Sequence, residues 1–276
     1  MKIKSAILLF AASAGFSNAT TLIDVTWGSG TGTNPTMVRA SNNVAPTANW
    51  AQSTGVLDSK GVQSSGIYAV SSTTVDFTSL GSDSLVFTTT VAGAGSGMQP
   101  WANGLFIGFQ TNGGIGSGAD LWNNQANSFG LRILSAASSL QVGAGGTTAG
   151  TTGAGFMSGS TWGNATLASI QDGFTATITV NSAGWDIALT GLQTGAAAAI
   201  TGGSGTWGTG GVLNQWSDFA NDVRVSAGWQ QGTSNGSAVP SNATMTLGSM
   251  NLTQVPEPSA ALLGGLGLLG LLRRRR

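Results

Sequence analysis

The segment FTATITVNSAGWDIALTGL, residues 174–192, decides the predicted fold. In its first half, bulky apolar residues alternate with threonines, and in its second half Trp185, Ile187 and Leu189 recur at every other position. Between the halves, Asn181–Gly184 has the composition of a tight turn. Because successive side chains of a strand point to opposite faces, this pattern predicts an antiparallel hairpin with one buried face.

Other segments carry shorter versions of the same signal. They predict strands at Leu22–Trp27, Ile67–Val70, Thr74–Phe77, Ser84–Val91, Gly104–Gln110, Ser128–Ser135, Val223–Trp229 and Ala243–Thr253. The segment Gly104–Gln110 is nearly all apolar, which predicts a strand buried on both faces. In Ser128–Ser135 the apolar residues point inward and Arg132 points outward. The segment Gly28–Asn49, rich in Gly, Asn, Thr and Pro, is predicted to be a loop.

Between its two ends the chain shows no convincing helix and no repeat of fixed period. These features predict an all-β fold, an antiparallel two-sheet sandwich with glycine-rich loops. The central hairpin and the late closing strand resemble the concanavalin A-like jelly roll of lectin and laminin-G domains. An immunoglobulin-like sandwich and a right-handed β-solenoid remain alternatives, although a solenoid requires a steadier period.

Composition removes several classes of function. The 276 residues include no cysteine and no histidine, so no Ser-His-Asp triad, cysteine nucleophile or His/Cys metal site can be built. The only glutamate is Glu257, near the C-terminal end. Between residues 20 and 255, four basic residues face nine aspartates, a difference of −5. A segment with a net negative charge and so few cations has no basic surface for binding nucleic acid.

The N-terminal end has the layout of a secretory signal peptide. Lys2 and Lys4 precede an apolar stretch at Ala6–Phe16, and Ser17-Asn18-Ala19 supplies small residues before a cleavage point. We therefore predict a signal helix at residues 1–19, with cleavage after Ala19.

The C-terminal end, residues 255–276, has three parts. Pro256 and Pro258 flank Glu257 and keep that segment extended, so that a processing enzyme can bind it. The apolar run 259–272 predicts a short transmembrane helix of about 21 Å, less than the ~30 Å hydrocarbon core. Four arginines, Arg273, Arg274, Arg275 and Arg276, follow and would hold this end on the cytoplasmic side.

This combination resembles the PEP-CTERM protein-sorting signal. The resemblance implies that Pro256, Glu257 and Pro258 are recognised by a membrane-embedded cysteine protease, exosortase, which cuts beside them. The cargo is then released or transferred to the cell envelope, often in bacteria that make exopolysaccharide. The chain would thus divide into the signal peptide 1–19, a β-sandwich at 20–254 and a sorting tail at 255–276. It would be exported and transiently anchored in the membrane before it reaches the cell surface or matrix.

Two groups of residues in the predicted domain have side chains suited to a ligand. Trp122, followed by Asn123 and Asn124, offers an aromatic ring for stacking on a sugar and amides for its hydroxyls. The alternative is that such tryptophans cover the sandwich edges, because aromatic side chains dominate burial. A second group, Asp218, Asn221 and Asp222, has hard oxygen ligands of the kind Ca²⁺ takes, but lacks the calcium-loop pattern.

The predicted function is therefore that of an exported, exosortase-sorted envelope or matrix protein whose β-sandwich is structural or associates with exopolysaccharide. No catalytic residue and no cofactor is assigned. One alternative is a lectin-like module with a specific glycan site. A remote alternative is a polysaccharide hydrolase or lyase that depends on aspartates.

Overall fold

A computed structural model of the chain describes residues 18–27, 31–32, 37–40, 50–51, 54–58, 66–94, 104–111, 127–136, 139–147, 161–192, 199–209, 212, 214–230 and 244–257. Within these ranges β-strand is the main regular structure, and the helices are short. The strands are β1 (Thr20–Thr26), β2 (Thr31–Gly32), β3 (Met37–Ala40), β4 (Trp50–Ala51), β5 (Val56–Asp58), β6 (Gly66–Val70), β7 (Ser84–Ala94), β8 (Gly104–Thr111), β9 (Ser128–Ala136), β10 (Ser139–Thr147), β11 (Thr161–Ala165), β12 (Phe174–Asn181), β13 (Gly184–Thr190), β14 (Gly202–Gly205), β15 (Val223–Gln230) and β16 (Thr244–Val255).

The strands form two sheets with antiparallel pairing between every pair of neighbouring strands that the structure describes. Sheet A has the order β14-β13-β12-β7-β16-β1-β2, with β5 also paired to β16 and β4 paired to β5. Sheet B has the order β11-β10-β9-β8-β15-β6-β3. The predicted antiparallel two-sheet sandwich is confirmed, and the solenoid alternative is wrong because a solenoid stacks parallel strands.

The hairpin predicted from residues 174–192 is present as β12 and β13. Val180 lies opposite Trp185, and Ile178 lies opposite Ile187, so the predicted apolar face is continuous across both strands. The turn is held by the side chain of Asn181, whose Oδ1 accepts a hydrogen bond of 2.9 Å from the backbone N–H of Ala183. An asparagine that bonds the backbone two residues on is a common turn device, and here it fixes the register.

The core lies between the two sheets. Each sheet contributes the apolar residues of alternate positions, and these are almost fully shielded from solvent. Phe87 of sheet A and Phe109 of sheet B meet edge to face with ring centroids 5.9 Å apart. Such contacts favour one fixed placement of the sheets, because aromatic rings prefer offset or edge-to-face geometry.

Two predictions about individual segments are wrong. The predicted loop Gly28–Asn49 contains β2 and β3, and β3 extends sheet B by pairing with β6. The predicted strand Thr74–Phe77 makes only a single bridge, from Val75 to Val223, before a short 3-10 helix at Phe77–Leu80. That helix forms because the Asp76 side chain accepts from the Thr78 N–H at 2.8 Å and caps its start.

A short helix that the sequence did not predict, α1 (Leu167–Gln171), precedes β12. Its start is capped by Thr166, whose Oγ1 accepts a hydrogen bond of 3.3 Å from the backbone N–H of Ser169. The predicted signal helix and the predicted transmembrane helix at 259–272 lie outside the described residues, apart from positions 18 and 19. In the part of the chain that the structure describes, no helix is long and apolar enough to cross a membrane.

Candidate functional site

The predicted sorting motif directly follows the last strand of sheet A. Strand β16 ends at Val255, Pro256 is half-buried and Glu257 is exposed. The end of β16 pairs with the beginning of β1, where Thr20 lies opposite Gln254. The predicted cleavage point after Ala19, which is itself exposed, therefore lies beside the motif in space.

The end of β16, directly before Pro256, is held to the domain by side-chain hydrogen bonds as well as by strand pairing. Gln254 Nε2 donates a hydrogen bond of 2.7 Å to Asp83 Oδ2. Ser84, the first residue of β7, lies opposite Val255 and accepts a weaker bond of 3.4 Å from Asn181 Nδ2. We call this part of the domain the tail-proximal end of sheet A, formed by Thr20, Asp83, Ser84, Ser182, Gln254 and Val255.

Several predicted site residues lie outside the described residues. These are Trp122, Asn123 and Asn124 of the predicted glycan site, Pro258 of the motif, and the arginines Arg273, Arg274, Arg275 and Arg276. Their predicted roles stay predictions.

The described tryptophans of the Gly/Asn/Ser-rich segments pack onto the core. Trp207 lies 5.0 Å from Phe129 and 5.7 Å from Trp216 between ring centroids, and its Nε1 donates to the Asn181 carbonyl at 2.8 Å. Trp162 is also partly buried against the core. For these residues the structure supports the alternative that tryptophans cover the sandwich edges.

The three residues of the predicted calcium site lie just before β15, Asp218 in a short helix and Asn221 and Asp222 in the turn that follows. Asp218 Oδ2 accepts a hydrogen bond of 2.8 Å from the Gln215 N–H and caps the 3-10 helix Trp216–Phe219. Asn221 and Asp222 follow with φ of 57° and 44° in an exposed turn. Among the described residues, no group of three or more Asp, Glu, His or Cys is placed to hold a metal ion. The calcium site stays a prediction.

The face of sheet B that points away from the core carries a cluster that the sequence did not single out. Its strands place aromatic and polar side chains next to one another: Phe106 lies opposite Arg132, and Gln110 lies opposite Ser128. All of these side chains are nearly or fully buried. We call this cluster the polar face of sheet B, formed by Tyr68, Phe106, Gln110, Ser128, Arg132 and Ser226.

A pair of glycines makes the floor of the polar face flat. Gly108 of β8 and Gly130 of β9 face each other, and a Cβ on either would come within 2.7 Å of the Cα of the other. Only glycine allows two backbones to approach so closely. Between these strands no side chain separates the two backbones, and the Phe106 ring lies close to Gly108.

Arg132 is the only described cation on this face that is fully buried. Only 1 % of its surface is exposed, and its Nε donates a hydrogen bond of 3.0 Å to the Ala144 carbonyl. Burial lowers the pKa of the guanidinium to about 10, since a charge is less stable away from water. The group remains cationic at neutral pH, so it places a positive charge in a shielded site.

Two neutral polar atoms of the polar face are buried without a hydrogen bond to any described residue: the Ser226 hydroxyl and Gln110 Oε1. Ser226 lies opposite Gly108 and Gln110 lies two residues further along β8, so the two side chains are diagonal neighbours. Buried polar atoms are nearly always satisfied, so such atoms mark places where a bound group could supply the missing bond.

Sequence reasoning missed this cluster for a definable reason. The prediction that Gly104–Gln110 is buried on both faces is confirmed, because every residue from Leu105 to Gln110 is buried. A strand buried on both faces implies that side chains of the neighbouring strands β9 and β15 are also shielded on the outer face of sheet B. Arg132 was predicted to point outward, and it does leave the core, but it is buried rather than solvated.

Comparisons with known proteins agree with the sequence at the C-terminal end. The family model of the PEP-CTERM protein-sorting motif matches residues 254–276, so the predicted sorting signal is confirmed. No curated protein sequence matches the chain.

Solved structures similar to this chain include carbohydrate-active and lectin-like proteins. Arcelin-5, a lectin-like defence protein from Phaseolus vulgaris, is 12% identical with a TM-score of 0.48, covering 86% of this chain and 98% of that chain. The kappa-carrageenase from Pseudoalteromonas carrageenovora is 10% identical with a TM-score of 0.47, covering 91% and 99%. The alginate lyase Aly36B is 12% identical with a TM-score of 0.45, covering 85% and 96%.

Proposed function

From the PEP-CTERM motif at residues 254–276, we propose that this chain is an exosortase substrate whose β-sandwich acts outside the cell as a non-catalytic, polysaccharide-associated domain. The observation that carries the proposal is the position of the motif. It begins within the last two residues of β16, so the sandwich is the cargo that the tail delivers.

The polar face of sheet B is the site that we assign to the saccharide. A sugar ring has apolar C–H faces and a rim of hydroxyls. Tyr68 and Phe106 lie beside polar groups and would stack on such a ring once the sugar displaces what shields them, because both are almost fully buried. The Ser226 hydroxyl and Gln110 Oε1 would bond sugar hydroxyls. Arg132 places a buried positive charge on this face, which favours an anionic polysaccharide.

The absence of carboxylates on this face supports a binding role over hydrolysis. On the described strands of sheet B, the outer face carries no aspartate or glutamate. Glycoside hydrolysis by the usual route requires two carboxyl groups on either side of the bond that is cut.

The sorting half of the proposal is tested by mass spectrometry of the protein from cells with and without exosortase. We expect the mature chain to lack Ser259–Arg276 in the first case and to retain it in the second. A Glu257→Ala variant should behave like the protease-free case. Full-length tails in cells that contain exosortase would contradict the proposal.

The binding half is tested on an array of acidic and neutral polysaccharides. We expect retention on acidic glycans and its loss in Arg132→Gln. The comparison variant is Arg224→Gln. Arg224 lies opposite Gln110 on the same face but bonds the Ser71 and Ser72 carbonyls at 2.7 and 3.1 Å, so retention that is lost only in Arg132→Gln assigns the charge contact to Arg132. Binding that survives in Arg132→Gln but vanishes in Trp122→Ala would move the site to the predicted lectin-like position. Cleavage of a glycan by the unmodified protein would contradict the non-catalytic assignment.

A further inference from the structure

The two predicted processing points lie at one end of the domain. Thr20, the first residue after the predicted signal peptide, pairs with Gln254, where the family match begins, and Pro256 follows two residues later. The same end contains the start of β7, because Ser84 pairs with Val255. The tight turn between β12 and β13 also lies there, since Val180 pairs with Leu85.

Little chain separates this end from the predicted membrane segment. Three residues, Pro256, Glu257 and Pro258, lie between Val255 and the apolar run. At about 3.3–3.6 Å per residue, the distance from the Cα of Val255 to that of Ser259 is at most roughly 14 Å. The headgroup layer takes up roughly 5–8 Å of that distance on each side of the bilayer.

The tether cannot lengthen without breaking bonds that the structure shows. Gln254 is fixed by its pairing with β1 and by the 2.7 Å bond to Asp83. The two prolines favour an extended backbone between Val255 and Ser259.

From this placement, and on the basis of the proposed sorting function, we propose that the tail-proximal end of sheet A faces the lipid headgroups while the tail is attached. Strand β16 has 12 residues. At a rise of about 3.3 Å per residue, the opposite end of the sheet stands roughly 35–40 Å further from the bilayer. The domain therefore stands on the end that carries both termini.

The distribution of charge favours this orientation over one in which the domain lies on sheet A. Of the six residues that define the tail-proximal end, only Asp83 is charged, and its carboxylate is bonded to Gln254; exposed Glu257 follows in the linker. The outer face of sheet A exposes Asp24 and, near the β12–β13 turn, Asp186. These carboxylates would be repelled by an anionic leaflet.

The test uses fluorescent labels at the two ends of one hairpin. Because the chain has no cysteine, a single one can be introduced by Ser182→Cys at the β12–β13 turn or by Thr190→Cys at the far end of β13. Both positions are exposed. The exported, uncut chain is purified from cells without exosortase and reconstituted in phosphatidylcholine vesicles with some phosphatidylglycerol and nitroxide-labelled headgroups.

We expect headgroup quenching several-fold stronger for the Ser182→Cys label than for the Thr190→Cys label. A long Gly/Ser spacer inserted after Val255 should remove the difference, because a flexible tether lets the domain move away. Equal quenching at both positions, or a difference that survives the spacer, would overturn the proposal. A chain that fails to float with the vesicles would refute the anchor itself, whereas a floating chain with equal quenching refutes only the orientation.

Discussion

Two buried hydroxyl groups of similar size should respond in opposite ways to removal. Thr89 and Ser226 are both fully shielded from solvent. Thr89 Oγ1 donates a hydrogen bond of 2.7 Å to the Ser249 carbonyl, whereas the Ser226 hydroxyl bonds to no described residue. We therefore predict that Thr89→Ala destabilises the domain and that Ser226→Ala does not.

The magnitudes follow from the lost interactions. Thr89→Ala loses a hydrogen bond of about 0.5–1.5 kcal/mol and a buried methyl group of about 0.8 kcal/mol, so roughly 2 kcal/mol in total. Ser226→Ala removes an unsatisfied buried hydroxyl, whose desolvation costs about 1–3 kcal/mol, and should stabilise the domain by about 1 kcal/mol. The two variants would then differ by about 3 kcal/mol, or roughly 6–12 °C in Tm for a domain of this size.

The assay is urea unfolding of the exported domain at neutral pH, followed by tryptophan fluorescence and circular dichroism. Equal unfolding slopes for the two variants are the control that both retain the same native state. If Ser226→Ala loses as much stability as Thr89→Ala, its hydroxyl is satisfied in the folded domain. The polar face of sheet B would then have no polar group available for a ligand at that position.

Three further predictions test other parts of the structure. Gly130→Ala should lower the free energy of unfolding in urea by at least about 2 kcal/mol, because its Cβ would collide with the facing strand. Gly81→Ala has open space around it and should cost about half as much, through its φ of 61°. Equal losses of stability would contradict the close approach of the strands. The Thr78 hydroxyl donates a 2.6 Å hydrogen bond to Asp76 and lowers the pKa of that carboxyl, so the stabilisation is present above about pH 4 and is lost as pH falls through the lowered pKa. The stability difference between the unmodified domain and Thr78→Val should therefore shrink below about pH 4. A difference that stays constant in acid titrations would count against this prediction. Asp218→Ala should lose about 1 kcal/mol by removing a helix cap, with or without Ca²⁺; a calcium-dependent rise in Tm that this variant abolishes would instead support the predicted metal site.

The sequence predicted the fold well where one pattern covered a whole strand. In β12, alternation places Phe174, Ala176, Ile178 and Val180 in the core and the threonines on the other face. Burial on one side fixes the register, because a shift of one residue would expose the entire apolar set. Such strands report their own environment, and periodicity alone identifies them.

The sequence failed where structure depends on contacts made elsewhere in the chain. Strand β3 (Met37–Ala40) has only four residues and extends sheet B by pairing with β6, which no local pattern announces. At Thr74–Phe77 the local preference for a strand was overridden by the Asp76 cap, which turns the chain into a 3-10 helix. In both cases non-local pairing or side-chain bonding outweighed β-propensity.

Of the candidate sites, the sequence predicted the sorting tail but not the polar face of sheet B, for the same reason. The sorting tail is a linear signal, so its residues can be recognised in order along the chain. The polar face of sheet B draws Arg132 from β9, Gln110 from β8 and Ser226 from β15, and becomes a cluster only once the strands pair. One buried arginine among apolar neighbours reads as a single outward residue until its surroundings are known.

The position of β16 links the fold to the route of export. This strand is the last of the domain, yet it lies inside sheet A, between β7 and β1. Without it, β1 and β2 lose their only described connection to the rest of the sheet, and Met245, Leu247, Met250 and Leu252 leave the core. Sheet A can therefore reach its native pairing only once residues 244–255 have been added to it. The sorting motif directly follows this final strand, so the domain and its sorting signal are contiguous in the chain.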